Sequence, residues 1–563
     1  MLPTRMPFNV LPLAFIVAAS AALPGLAQAL PFNVGDVEGQ IDTSLSFTTE
    51  WAQRNADSHL VSSANGGSGH SSLGDGGRLN FNRGQAFSTR LQGVQALTLK
   101  YGDRGVFVSG RYWYDFAEQG GGQSFTSISD HGREEGARSA GGQWLDAYVF
   151  HHYSLDDQPG TVRVGRQVVN WGESVFIGNS INSINPVDLS TLHSPGTTVS
   201  DSLLPTNLLY VSQSLTDSLT LDAFYQLQWD ASQAENCGTF FADDVTARGC
   251  SRGYTVASAL APQQGQGYEV TSEGVIVPRG HDQRARDGGQ WGTALHWDVD
   301  DVDYGFYFMN YHSRQAFLQT RGAGASTLAS LASISNSAVA QATLLGGSSY
   351  NVQYPENIQL YGASFSTVMA AGATWRGEVS YRPDAPIQRN VADLTQALLD
   401  PVAGQANNGY ERKPITQLQS SLSQDFDEVL GARRLTLVGE AAWVHVDDLS
   451  GNDRLGRDAV YGTAGSHGFV TRNAWGYRAK AELLYPSVLA GLDVTPSLAW
   501  SQDVSGYGPN GLFNEGAKAA TVGVNADFQH LYSATLAYTD FFGGTYNTLK
   551  DRDYLSLSVG MKF

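Results

Sequence analysis

The chain is poor in charge, and poorer still in positive charge. Only 16% of its 563 residues are Asp, Glu, Lys or Arg, against the quarter usual in soluble domains. Acidic residues number 54 and basic ones 35, a formal charge of −19, and that sign excludes nucleic acid as a partner. Long apolar runs are missing too: nothing after residue 29 approaches the ~18 residues that a transmembrane helix needs. The sequence contains no HExxH, GxSxG, Walker loop or dinucleotide fingerprint. His151, His152, His296, His312 and His445 fall on predicted strands without a distinctive nucleophile beside them. The expectation is a protein that is not an enzyme and needs neither metal nor cofactor.

What is present begins with a leader. Arg5 precedes the apolar stretch "FNVLPLAFIVAASAALPGLAQA", which closes on Ala27-Gln28-Ala29. One basic residue, a short apolar core and an A-x-A ending describe a signal peptide, residues 1–29, cleaved before Leu30. Pro12 and Pro24 bracket a core too short for a retained anchor. Cys237 and Cys250, the two cysteines, lie in "NCGTFFADDVTARGC". The segment has no histidine, and in an exported chain the pair is expected to close one polar loop as a disulfide. The acidic pairs Asp243-Asp244 and Asp447-Asp448 admit a Ca²⁺ reading, with a solvated loop as the default.

The dominant pattern has a period of two, the signature of a strand with one apolar and one wet face. "VEGQIDTSLSF" opens the series. Hairpins follow, such as "QALTLKYGDRGVFVSGRYWYDF" and "LLYVSQSLTDSLTLDAFYQLQWD", and "YLSLSVGMKF" closes it. Tight turns ("GDRG", "TDS", "DVDD") alternate with long polar segments at 231–288, 315–355, 383–413 and 447–474. A sheet whose long connections all lie at one end matches a transmembrane antiparallel up-and-down barrel with short periplasmic turns and long external loops. The repeats suggest about 16 strands, with 14–18 allowed by boundary uncertainty. Both termini lie at the short-turn rim, which requires an even number. In hydrocarbon a sheet edge is prohibitive, so the last strand must pair with the first. Residues 30–563 are thus expected to form one outer-membrane barrel whose loops partly fill the lumen. Within those loops, Leu328, Leu331, Ile334, Ala338 and Ala342 sit near helical spacing, giving either a short lid helix or an Ala/Ser-rich loop.

The densest unusual block is "RVGRQVVNWGESVFIGNSINSINPVD", residues 163–188. Strict alternation would place Arg166 on the lipid face with Val164, at a cost of ~2–4 kcal/mol near the midplane. A bulge at Gly165 would turn Arg163 and Arg166 both inward. The block is then expected to fold against the lumen, with Arg163, Arg166, Gln167, Asn170, Trp171, Glu173, Asn185 and Asp188 at a constriction. It either selects a solute or braces the wall with ion pairs and Asx turns.

"GRQVVNWGES", "NSINPVD", "FYFMNYHSR", "LYGASFST…GEVSYRP", "VTPSLAWSQDVSGY" and "YTDFFGGTYNTLKDRDYLSLSV" resemble the family catalogued as domain of unknown function 1302, from about Phe32 to Phe563. The resemblance implies a barrel in the Gram-negative outer membrane, surrounded by lipid and lipopolysaccharide. It implies neighbours of two kinds, a periplasmic lipid-carrier-like protein and an inner-membrane exporter of the resistance–nodulation–division type, and hence traffic in hydrophobic or amphipathic molecules, lipid included. The paired cysteines also fit the family. Leu555, Leu557, Val559, Met561 and the terminal Phe563 have the form of a signal for the barrel-assembly machinery. The alternative function is a plugged, non-conducting surface barrel that binds a partner or stabilises the envelope.

Overall fold

The computed structural model describes residues 30–193, 196–263 and 267–563. The expected signal peptide lies outside the described residues.

Among the described residues, 18 antiparallel strands close into one barrel. They are β1 (Val37–Ala52), β2 (Ala86–Tyr101), β3 (Arg104–Asp115), β4 (Ala140–Leu155), β5 (Gln158–Gln167) and β6 (Thr206–Thr216). Next come β7 (Leu219–Gln226), β8 (Trp291–Val299), β9 (Val302–Tyr311), β10 (Ile358–Val368), β11 (Thr374–Gln388) and β12 (Tyr410–Asp427). The last six are β13 (Arg434–Val446), β14 (Asn473–Leu489), β15 (Leu492–Ser505), β16 (Ala517–Phe528), β17 (Tyr532–Gly543) and β18 (Tyr554–Lys562). Each pairs with its sequence neighbours, and β1 pairs with β18. Eighteen is the upper end of the expected range, and each segment of period-two alternation proves to be a strand or a hairpin.

The seam carries the C-terminus. Ser44–Ala52 run antiparallel to Tyr554–Lys562, and Phe563 and Thr43 exchange backbone hydrogen bonds of 2.6 and 2.9 Å. Where β18 stops, the strand Leu30–Val34 takes over the same edge of β1, pairing with Val37–Ile41. The edge of β1 at the seam is therefore paired along its length.

Tight turns follow from residues that accept positive φ. Asp156-Asp157 (φ 50° and 63°) and Asp300-Asp301 (φ 48° and 65°) make two-residue hairpin loops, whose twist matches that of the flanking strands. The outer face is apolar: Leu221, Leu418, Leu498, Val522, Leu536 and Leu557 stand exposed. Exposed aromatic residues lie toward the long-loop end (Tyr225, Trp291, Trp443, Trp475) and the short-turn end (Tyr101, Trp297, Tyr304, Tyr532). An apolar band between aromatic girdles is the surface that a bilayer solvates.

At the long-loop end, the β7–β8, β9–β10 and β11–β12 connections share an apolar core that includes Tyr254, Val275, Leu318, Leu345, Tyr350 and Leu398. Residues 324–345 form two helices, α1 (Ala325–Leu331) and α2 (Ser337–Gly346). Ala342 and Leu345 of α2 join this cap core, while Leu328 does not. The disulfide Cys237–Cys250 staples the β7–β8 loop and directs Phe240 and Phe241 onto Phe87 of β2.

Candidate functional site: a loop across the lumen

The described residues of the connection between β5 and β6, 168–193 and 196–205, fold inward and cross the lumen. The tip of this loop is held by side chains on strands far around the barrel. Glu440 of β13 accepts three consecutive backbone N–H groups, from Val175 (3.0 Å), Phe176 (2.6 Å) and Ile177 (2.7 Å). Glu378 of β11 accepts the Glu173 N–H at 2.5 Å, and Gln419 of β12 donates to both Glu378 (3.0 Å) and the Ile177 carbonyl (3.2 Å). Gln417 donates to the Gly178 carbonyl at 3.0 Å, the Ser180 hydroxyl donates to Ser380 at 2.9 Å, and Arg382 Nη1 donates to Asn179 Oδ1 at 3.1 Å. A segment without regular structure leaves its own N–H groups unpaired. Buried carboxylates that collect several of them make charge-assisted hydrogen bonds, the stronger kind.

The base of the loop is fastened by one amide. Asn185 Oδ1 accepts the Val169 N–H (2.9 Å), and its Nδ2 donates to the carbonyls of Leu204 (2.8 Å) and Gln167 (3.2 Å). One side chain thereby ties the outgoing and returning strands of the loop together. Gln167 Nε2 adds a bond to the Leu208 carbonyl at 3.1 Å.

The loop divides the lumen into unlike parts. Toward β6–β10 it presents Val169, Trp171, Ile181 and Ile184, which pack with Leu208, Phe224, Tyr307, Met309 and Leu360 into a closed apolar cluster. Trp171 meets the rings of Phe224 and Tyr307 at 5.1 and 5.9 Å. Gly362 on β10 makes room for Ile181, since a Cβ there would stand 2.7 Å from Ile181 Cγ1. The remaining part stays open as a chamber of about 1070 Å³, bordered by the loop and by residues such as Arg478, Asp503 and Lys518 of β14–β16. Leu189 and Leu192 also border the chamber, although both are more than 40% exposed. The loop's His193 stacks on Phe241 at 3.9 Å and contacts Glu235 at 2.6 Å, joining it to the disulfide segment.

The expected polar network is split into separate groups. Arg163 lies over the Tyr210 ring at 4.4 Å, in a pocket of about 230 Å³ shared with Asn170, Glu173 and His296. Glu173 pairs with Arg376 at 3.2 Å, and burial, only partly offset by that guanidinium, pushes its carboxyl up to about 7. Asp188 pairs with Arg111 of β3 at 2.9 Å, not with either predicted arginine. The bulge expected at Gly165 is absent: pairing of β5 with β4 runs without a shift through Arg166. The irregularity sits between Val108 and Gly110 on β3, while Gly165 takes up local twist at φ 130°. Arg166 therefore stays in line with Ala147 and Asn207. It avoids the cost of a midplane charge because it lies at the long-loop end of β5, where Asp230 meets it at 3.5 Å.

Sequence reasoning missed the wall residues that grip the loop: Glu378, Arg382, Gln417, Gln419 and Glu440. A usable signal existed in "GEVSYRP", where Glu378, Ser380 and Arg382 share one strand face opposite the exposed Val379 and Tyr381.

Fold and site together define an 18-stranded barrel with a lipid-facing exterior and a loop pinned across its lumen. The chain belongs to the family described as "Protein of unknown function (DUF1302)", whose profile matches residues 10–563. No curated protein matches it. Among solved structures, it is similar to OccAB1 of Acinetobacter baumannii, with 11% identity and a TM-score of 0.41, covering 95% of this chain and 98% of that one. Similar as well are Pseudomonas aeruginosa OpdK with vanillate (11%, 0.40, covering 93% and 98%) and the Salmonella typhi OmpF complex with daunomycin (10%, 0.37, covering 95% and 100%).

Proposed function

We propose that this protein is a non-enzymatic channel of the Gram-negative outer membrane that passes small hydrophobic or amphipathic molecules, lipids included. The observation that carries the reading is the chamber left beside the loop, whose lining includes both exposed Leu189 and Leu192 and the basic Arg478 and Lys518. Apolar side chains facing a wet lumen lose solvation free energy unless something apolar covers them. A mixed lining of this kind suits a solute with a polar end and an apolar body. Delivery to or from a periplasmic lipid carrier and an RND-type exporter belongs to the same reading, and its support is the family resemblance. Export through a cleaved signal peptide and insertion by the assembly machinery complete it.

The cap supplies an observation for a second reading. Three long loops share an apolar core over the long-loop end, and a cap that never opened would make the barrel a non-conducting surface protein. Purified protein in a planar bilayer separates the two. Stable conductance steps that a hydrophobic solute blocks support the channel. Silence from protein whose barrel is intact, judged by heat-dependent gel mobility, supports the capped barrel.

A further inference from the structure

The lining of the chamber reverses the sign of the chain. The protein carries 54 acidic and 35 basic residues, yet the described residues bordering the chamber include seven arginines and lysines against four aspartates and glutamates. Two of those acids are already matched, Asp503 by Arg478 at 2.8 Å and Asp282 by Arg279 at 2.9 Å. Asp188 and Asp230, beside the loop but outside the lining, are matched as well, by Arg111 and Arg166. What remains in the lining is Glu134 and Asp243 against Arg248, Arg284, Arg314, Arg382 and Lys518.

These five cations act in two ways. Arg248 and Arg284 are exposed and Lys518 is half-buried, and none of the three has a hydrogen bond or ion pair among the described residues. Arg284 lies over the Trp229 ring at 5.5 Å, a contact that leaves its N–H groups unspent. Glu134 is the acid on which Arg284 and Arg248 both act; matched to one of them, it leaves the other uncompensated. Arg314 and Arg382 are buried and closed to solutes. Arg314 donates to the carbonyls of Ile184 and Asp230 and to Gln226 Oε1, and Arg382 to Asn179 Oδ1, all of them neutral acceptors. Burial pushes the Arg314 guanidinium down only to about 10, so it stays charged at neutral pH. The two buried charges reach the chamber through their field, which a wall of low dielectric screens little.

We propose that the chamber is an anion-selecting vestibule, in which Arg248, Arg284 and Lys518 meet the entering anion and cations are held back. This rests on the channel reading and adds the sign of the charge that its solutes carry. Low-dielectric walls focus the field of their charges into the water they enclose, and arginine and lysine linings are how anion pores select. The net charge of the chain and the charge of the chamber thus forecast opposite selectivities. A potential of about one kT in the chamber enriches monovalent anions about threefold and depletes cations about threefold.

The test uses the full protein in planar bilayers under a potassium chloride gradient. The reversal potential should give chloride a permeability at least about threefold that of potassium. Arg248→Glu combined with Arg284→Glu leaves acids in excess in the lining and should turn the preference to potassium. The same change of charge at Arg252 and Arg321, exposed residues outside the lining, should leave chloride preferred. A second readout needs no current. Gln315 is exposed and borders the chamber, and Gln315→Cys should react with an anionic methanethiosulfonate in preference to a cationic one. That rate ratio should exceed the ratio for a free thiol in solution by roughly sevenfold. Folding of each variant is checked by heat-dependent gel mobility. A wild type that prefers potassium, a reagent ratio no higher than that of the free thiol, or an unchanged chloride preference in the double variant overturns the inference. Conductance without anion preference removes the vestibule and leaves the channel. Silence with a raised reagent ratio supports the vestibule and removes the channel, and silence with an unraised ratio removes both.

Discussion

Two regions of one lumen, separated by a single loop, are built on opposite principles. Toward β6–β10, Trp171, Ile181 and Ile184 are packed against Phe224, Tyr307 and Met309 in a buried apolar cluster, with a pocket of only about 230 Å³ beside it. On the other side, the same loop exposes Leu189 and Leu192 to a chamber bordered by Arg382, Arg478 and Lys518. The difference shows how a barrel of 18 strands reduces its bore: it sacrifices part of its cross-section to apolar packing, and the packing fixes the loop that shapes the remainder. Rigidity on the filled side is what gives the open side a defined lining.

The largest effect should come from releasing the loop. Glu440→Ala leaves three N–H groups of the loop tip without their acceptor, of which the buried one, on Ile177, alone costs about 1–3 kcal/mol. Single-channel conductance should rise severalfold and become noisy, and the two regions should merge into one. The filled side can be attacked directly: Trp171→Ala should destabilise the protein by about 3–5 kcal/mol in denaturant unfolding, with a smaller rise in conductance, since the pins on Glu378 and Glu440 remain. Cys237→Ser with Cys250→Ser removes a closure spanning 13 residues, worth about 3 kcal/mol. Its effect should appear as faster hydrogen exchange in the segment carrying Phe240 and Phe241, leaving the filled side unchanged.

The smallest effect is one of pH, confined to the cap. Burial raises the Asp244 carboxyl from its ordinary 3.8 to about 7, with Asp75 nearby raised to about 6. For acids whose folded pKa is raised, the folded state binds more protons between the two values. Stability therefore falls as pH rises through that window and levels off above it. Protection factors, hydrogen-exchange rates divided into the intrinsic rate at each pH, around Gly76 and Gly238, whose N–H groups Asp244 accepts, should be larger at pH 5 than at pH 8. Asp244→Asn should flatten the difference.

Much of this architecture was legible because strands and turns are local. Alternation over ten residues names the lipid face, and "DD" between two alternating runs names a hairpin. The residues that grip the loop were not legible in this way. Glu440 in "LVGEAAWV" reads as one more wet position on a lumen wall, and only the arrival of Val175–Ile177, more than 260 positions earlier in the chain, gives it a role. Arg166 was misplaced because period-two counting fixes a face but not a depth. At the rim, Asp230 can reach it, and no bulge is required. The match of Asp188 with Arg111 rather than Arg163 or Arg166 is likewise a matter of which strands the loop passes, which no local pattern records.

The division of the lumen is tested most directly by cysteine accessibility in a background with Cys237 and Cys250 replaced by serine. Leu192→Cys, facing the chamber, should react within seconds with a charged methanethiosulfonate reagent and step the conductance down, whereas Ile181→Cys, fully buried in the filled side, should stay unmodified in the folded protein. Equal labelling of both positions, or protection of both, would contradict a loop that closes one part of the lumen and leaves the other open.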